Sequence, residues 1–397
     1  MKLKILYVIL IMSVFAVSSF AQNAKTWEIL YKQSKSIKDK RDRVAQITDT
    51  ANAEYSALIY GILQEQVEYV PLNDPQEKRY YDEWVSFTVG IATRLNIANI
   101  SNLIKSLYLK IQTPRIKGDI MVALGKTGDK SQVDFINNEL RIFNEMQKSG
   151  EIKGKEDIID GVIRALDILK EPSSFSYLFY ASLPGYAEKT RNLAKNALNK
   201  ITESSARYCD EIIITDPDMS IVLEALKLSY NSKSDNPDKI NSARFALQIG
   251  LDTFVSSEKN LSFITKDDIR DESVKYLGNL KAKDKDIVGL IDKKWKMDKT
   301  TNSNIITIES LQKIATTDAA KVLSDKLGEF TQKTKDGAGT GFGKEEGERI
   351  TIAIIRALGD IKDPVASEEL LKIKTSSQYG NTVKNEATKA LDLINKK

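Results

Sequence analysis

Apolar or small residues recur along the chain at i, i+4, i+7 and i+8, the spacing that lines up one face of a helix with 3.6 residues per turn. Ile116, Ile120, Ala123 and Leu124 fit it, as do Ile158, Val162, Ala165 and Leu166; Ile350, Ile354, Ala357 and Leu358; and Val383, Ala387, Ala390 and Leu391. Partial copies keep Ala194, Ala197 and Leu198; Val222, Ala225 and Leu226; Ile269, Tyr276 and Leu277; and Leu311 with Ser310 before it. The closing leucines are separated by 42, 32, 28, 51, 34, 47 and 33 residues. A recurrence of that size predicts helix pairs stacked into an α-solenoid, all-α in fold class. Alternation at period two is scarce, and the runs Ile212-Ile213-Ile214 and Ile305-Ile306 are too short and isolated to support a sheet, so they are read as helical.

The residues after the pattern sharpen it. Three strong copies run on as ALGKTGDKSQVDFI from Ala123, ALDILKEPSSFSYL from Ala165 and ALGDIKDPVASEELL from Ala357. In each, the first helix is expected to meet a glycine or an acid and end in a short turn before a second helix. Asp363-Pro364 and Asp216-Pro217 read as helix starts, with Asp capping free amides and Pro tolerated in the first turn. Ser131 with Asp134 and Thr265 with Asp268 read as capping boxes.

At Ala123-Leu124-Gly125 with Asp129, and at Ala357-Leu358-Gly359 with Asp363-Pro364, the chain resembles the HEAT-repeat family in its short bacterial form. Ala165-Leu166 matches in part, the copies between about 200 and 345 are degenerate, and the resemblance spans residues 115–397. It implies a right-handed superhelix of antiparallel helix pairs whose second helices line a concave groove for proteins. It implies no reaction, since that family is defined by packing.

Residues 22–114 fit the pattern less well and are read as an irregular helical N-terminal cap. Helices are expected over 27–37, 44–70, 83–95 and 99–111, with Pro71 and Pro75 punctuating a loop. Residues 332–348 read as a flexible Gly-rich insertion that accounts for the 47-residue spacing. Within it Gly337, Gly339, Gly341 and Gly343 precede Lys344. The stretch is a near miss for a phosphate-binding loop, because Glu345 stands where a Ser or Thr would hold magnesium and no strand precedes it.

At the start of the chain, Lys2 and Lys4, an apolar run over 5–17 and Ala21 compose a signal-peptide pattern over residues 1–21. Cleavage after Ala21 would leave Gln22 first, with no cysteine there to accept a lipid, and place the protein in a periplasm or outside the cell.

Composition narrows the chemistry. Glycine and proline total 28 of 397 residues, fewer than a turn-rich β protein needs. The chain has no histidine and one cysteine, Cys209, which excludes Ser-His-Asp and Cys-His catalysis, His-ligated metals and an internal disulfide. A net charge of +4, which falls to +2 without Lys2 and Lys4, is too small for a global nucleic-acid footprint.

Two local features suggest partner contacts. Tyr177 and Tyr180 lie in an aromatic cluster with Phe175, Phe179 and Tyr186, and aromatics with a polar tip are common binding anchors. Lys293, Trp295 and Lys296 interleave charge with an indole, although a tryptophan tucked inward explains the same stretch. The sequence thus points to an exported, non-catalytic binding or scaffolding protein that offers a helical groove to a protein partner and needs no cofactor. The alternatives are an envelope adaptor whose basic stretches hold lipid or cell-wall polymer, and a hydrolase or lyase working with carboxylates and tyrosines.

Overall fold

The computed structural model describes residues 23–252, 265–335 and 341–396. The signal-peptide pattern, Gly337 and Gly339 lie outside them. The described residues are helical throughout, with twenty α-helices and no strand; Ile212-Ile213-Ile214 and Ile305-Ile306 are both in helices. No helix among them is long and apolar enough to cross a membrane. Contacts divide the chain into two units that meet in sequence at Thr202 and Glu203.

In the first unit the helices are α1 (Ala24–Lys32), α2 (Ile37–Gln46), α3 (Ser56–Glu68), α4 (Pro75–Arg94), α5 (Ser101–Lys110), α6 (Pro114–Lys126), α7 (Val133–Ser149), α8 (Glu156–Leu169), α9 (Phe175–Ala181) and α10 (Glu188–Ile201). Alternate helices pack in series, α2 on α4, α4 on α6, α6 on α8 and α8 on α10, while α3, α5, α7 and α9 each lie against the next helix of that series. The series passes through residue 114 without a break, since α4 and α5 both pack on α6.

The second unit holds α11 (Ala206–Thr215), α12 (Met219–Asn231), α13 (Asn236–Leu251), α14 (Lys266–Asn279), α15 (Lys285–Trp295), α16 (Thr301–Ile314), α17 (Thr317–Lys335), α18 (Lys344–Ile361), α19 (Ser367–Thr375) and α20 (Asn381–Asn395). Here the series is α11, α13, α14, α16, α18 and α20, flanked by α15 on α17 and α17 on α19.

Several boundaries differ from the sequence reading for physical reasons. Residues 44–70 are not one helix: α2 stops at Gln46 and α3 begins at Ser56. Pro75 is no loop marker but the first residue of α4, where its missing amide costs nothing and the Asp74 carboxylate caps the Glu77 amide. Thr265 and Asp268 do form a capping box, whereas Ser131 and Asp134 do not, because Asp129 caps the Ser131 amide and starts a 3-10 turn instead. Asp363 makes the expected cap on Val365, but at the other Asp-Pro step the capping carboxylate belongs to Asp218, which holds the Ser220 amide.

The glycine of the A-L-G motif does not end its helix. Gly125, Gly278 and Gly359 are all helical, and each sits where the next helix of the series comes closest. A Cβ on Gly125 would lie 2.6 Å from the Ala165 Cα, one on Gly278 2.6 Å from the Ser310 Cα, and one on Gly359 3.0 Å from the Ala390 Cα. Ala165, Ser310 and Ala390 are the residues that precede the closing leucine of the following copy. The motif therefore presents a bare backbone forward and a small side chain backward, so that neighbouring helices meet at backbone contact. The α6–α8 joint is closer still, because Gly118 and Gly161 also face each other there.

Hydrogen bonds repeat along the series, at α14–α16 and at joints without a glycine contact. A carboxylate in one helix of the series accepts a hydroxyl from the start of the next: Thr190 donates to Asp160 at 2.7 Å, Ser242 to Asp210 and Ser303 to Asp271 at 2.5 Å each, and Thr113 to Asp82. The partners are 30 to 32 residues apart. Burial pushes the Asp82 and Asp210 carboxyls above their ordinary values, and the donated hydroxyls oppose that shift.

Leu124, Leu166 and Leu358 are fully buried, whereas Leu371 is 53% exposed. Replacement of any of the three by Ala should cost about 2 to 5 kcal/mol, the transfer energy plus the cavity. Leu371→Ala should cost under about 1 kcal/mol, and chemical denaturation of the four variants distinguishes the two groups.

Candidate binding cleft

The series α4–α6–α8 leaves an open cleft of about 660 Å3 on its outer face. Val89 of α4 and Ile120 and Ala123 of α6 line it but are themselves buried, and Val122 of α6 is the half-buried apolar side chain that faces it. Its rim is charged: Arg94 closes α4, Lys126 closes α6, Arg164 stands midway along α8, and Asp119 is the one carboxylate in the lining. A smaller cavity of about 260 Å3 adjoins it, sharing Thr93 and Lys126 and reaching Asn96, Asn99 and Asp129 at the turns that follow α4 and α6.

Gly90 opens this cleft. It lies inside a twenty-residue helix, where glycine costs about 1 kcal/mol relative to alanine, and nothing comes within 4 Å of where its Cβ would be. The joint glycines are explained by the neighbour they touch, but no neighbour explains Gly90. Gly61 and Gly289 are equally open, and Gly90 is the one of the three that lines this cleft. A bare helical backbone there permits close approach by a ligand.

The cations differ in their freedom. Arg94 is anchored, with its guanidinium donating to the carbonyls of Ala51 at 2.9 Å and Thr48 at 2.7 Å. Lys126 and Arg164 are exposed and meet no carboxylate among the described residues. Three cations against Asp119 leave the cleft with two net positive charges. At the smaller cavity the Ser101 hydroxyl, 2.5 Å away, and the Ser131 amide, 3.0 Å away, hold the Asp129 carboxyl down at about 2. This aspartate is structural, since it caps one turn and ties it to α5.

The residues singled out from sequence lie elsewhere, in two separate places. Tyr177 and Tyr180 are half-buried on α9; the Tyr177 carbonyl accepts from Asn144 at 3.0 Å, and the Lys148 ammonium sits 5.2 Å from the centre of the Tyr180 ring. Phe175, Phe179 and Tyr186 are buried, so this cluster is mainly core. At the end of α15, Trp295 is only 2% exposed and donates its indole N–H to Asn304 at 2.6 Å, with Lys326 over the ring. It is therefore not a surface anchor. Lys296 is tied to Asp292 at 2.7 Å, while Lys293 is exposed.

Between them Lys294, one of the four lysines of this charged stretch, is wholly buried rather than solvated. Its ammonium meets Asp271 at 2.6 Å, Asp298 and Thr307 at 2.9 Å and Ser303 Oγ at 2.8 Å, an oxygen cage that joins α14, α15 and α16. Burial raises the Asp298 carboxyl, and the nearby ammonium opposes the rise.

Cys209 is buried in α11 and its thiol is pushed up to about 12 by burial, so at neutral pH it is neither a thiolate nor within reach of another chain's cysteine. Among the described residues no three metal-ligating side chains converge. No protein-family model matches the chain, and no curated protein matches it in sequence.

The ties at Asp129 give a pH prediction. Because its folded-state pKa is lowered, the stability it adds is present above about pH 4 and is lost as pH falls toward about 2. Ser101→Ala removes the larger cause. Asp129 should then titrate closer to an ordinary aspartate, as read from its side-chain carboxyl signal by NMR, and the variant should lose less stability than the wild type over that acid range.

Proposed function

We propose that the chain is a non-catalytic binding protein, a HEAT-like α-solenoid that presents the α4–α6–α8 cleft to a protein partner. The serial packing of alternate helices, and the recurrence of the same small-residue joint at Gly125, Gly278 and Gly359, support the solenoid. The signal-peptide pattern over residues 1–21 supports export.

The observation that carries the binding reading is Gly90. A helix that keeps a destabilising glycine at an open position with no packing need for it, beside a cleft lined by three cations, has the makings of a recognition surface. Paired-carboxylate chemistry finds little support in that cleft, because Asp119 has no second acid beside it. Attachment to an envelope polymer through the α15 stretch loses its aromatic anchor with Trp295 in the core.

Gly90→Trp tests the reading, since the new Cβ meets open space and the helix gains propensity, and its unfolding midpoint is measured beside wild type to show that the fold is kept. Gly289→Trp, at an equally open helical glycine in the second unit, is the control. In pull-downs from envelope and culture extracts, a stoichiometric protein partner should be held by wild type and Gly289→Trp and lost by Gly90→Trp. Equal capture by all three would mean that the cleft is not the binding surface.

A further inference from the structure

The cleft's chemistry also says what kind of segment it takes. Resting on the reading that this cleft binds a protein, we propose that its occupant is an extended acidic peptide segment that sets carboxylates on Lys126 and Arg164 and a side chain between them in the space beside Gly90 and Val122.

Three features of the site point that way. First, the rim charge is uncompensated: Lys126 and Arg164 stand on successive helices of the series and have no carboxylate of their own, unlike Lys200 with Asp167 or Lys189 with Asp160 on α8 and α10. A partner that brings carboxylates gains steering and charge-assisted hydrogen bonds without first breaking an internal pair. Second, the space beside the cations is shaped rather than flat: the bare helical backbone at Gly90 and the half-buried Val122 leave room for a side chain of an extended segment, which a purely ionic ligand would not use. Third, a volume of about 660 Å3 matches a few residues of peptide rather than a polymer track. Arg94 contributes field rather than a free fork, because its guanidinium already holds Ala51 and Thr48. Asp119 opposes any carboxylate that reaches the α6 side of the cleft, so it sets where along the groove the acids can lie.

The probe is a fluorescein-labelled peptide of alternating Glu and Leu, with a Gln/Leu peptide and inorganic polyphosphate as comparators, read by anisotropy against the full chain. The Glu/Leu peptide should bind, and binding should weaken as salt rises from about 0.05 to about 0.5 M. The double variant K126E/R164E, at two exposed and unpaired positions, should lower affinity about tenfold or more, Asp119→Asn should raise it about twofold, and K293E/K296E in the second unit should leave it unchanged. The proposal is overturned if the Glu/Leu peptide binds no better than Gln/Leu, if K126E/R164E binds as wild type does, or if polyphosphate competes as strongly as the peptide does. Applied to the captured partner, the same double variant separates the two claims. A partner lost by Gly90→Trp but kept by K126E/R164E leaves the cleft as a binding surface and removes the acidic segment.

Discussion

Three joints of the two series, α6–α8, α14–α16 and α18–α20, are set by the requirement that a glycine meet a small residue. Gly125 against Ala165, Gly278 against Ser310 and Gly359 against Ala390 bring two helix backbones to a separation at which a single added methyl would have to displace main chain. Other features follow from that spacing. The leucine beside each glycine is sealed from water, and at α14–α16 the Ser303 hydroxyl reaches the Asp271 carboxylate on the preceding helix of the series. At α6–α8, where Gly118 and Gly161 add a second close approach, the packing brings Arg164 to the same cleft as Lys126.

The helical class and the buried stripe were legible because they depend on periodicity, which a sequence displays directly. Ile120, Leu124, Val162, Leu166, Ile354 and Leu358 are all in the core, as their spacing requires. The role of Gly125 and Gly359 was harder to read. A glycine before a turn resembles a helix stop, and only the position of the next helix shows that the missing side chain is needed for contact. The same difficulty applies to Pro75, whose meaning depends on Asp74 capping the helix it opens.

The cleft was not legible, and the reason is physical. Gly90, Lys126 and Arg164 are 74 residues apart from first to last and share no motif; they converge because three helices pack in series. Conspicuous local composition pointed instead to residues 292–299, where the inward tryptophan that the sequence also allowed is the one observed. Trp295 and Lys294 turn inward, one bonded to Asn304 and the other caged by Asp271, Asp298, Ser303 and Thr307, so the lysine-rich stretch serves chiefly to join helices. A weak signal did exist in the pattern itself: Arg164 precedes Ala165-Leu166, and Lys126 follows Ala123-Leu124-Gly125, both at positions that the helix period turns away from the core.

The glycine joint is tested most directly by making one substitution at two helical glycines and comparing the signs. Gly90→Ala adds a methyl to open space and should raise stability by about 0.5 to 1 kcal/mol through helix propensity. Gly125→Ala gains the same propensity but drives its methyl into the Ala165 backbone, and should lower stability by about 1 to 3 kcal/mol. Opposite signs in denaturant unfolding are the predicted result, and a Gly125→Ala protein as stable as Gly90→Ala would contradict the account.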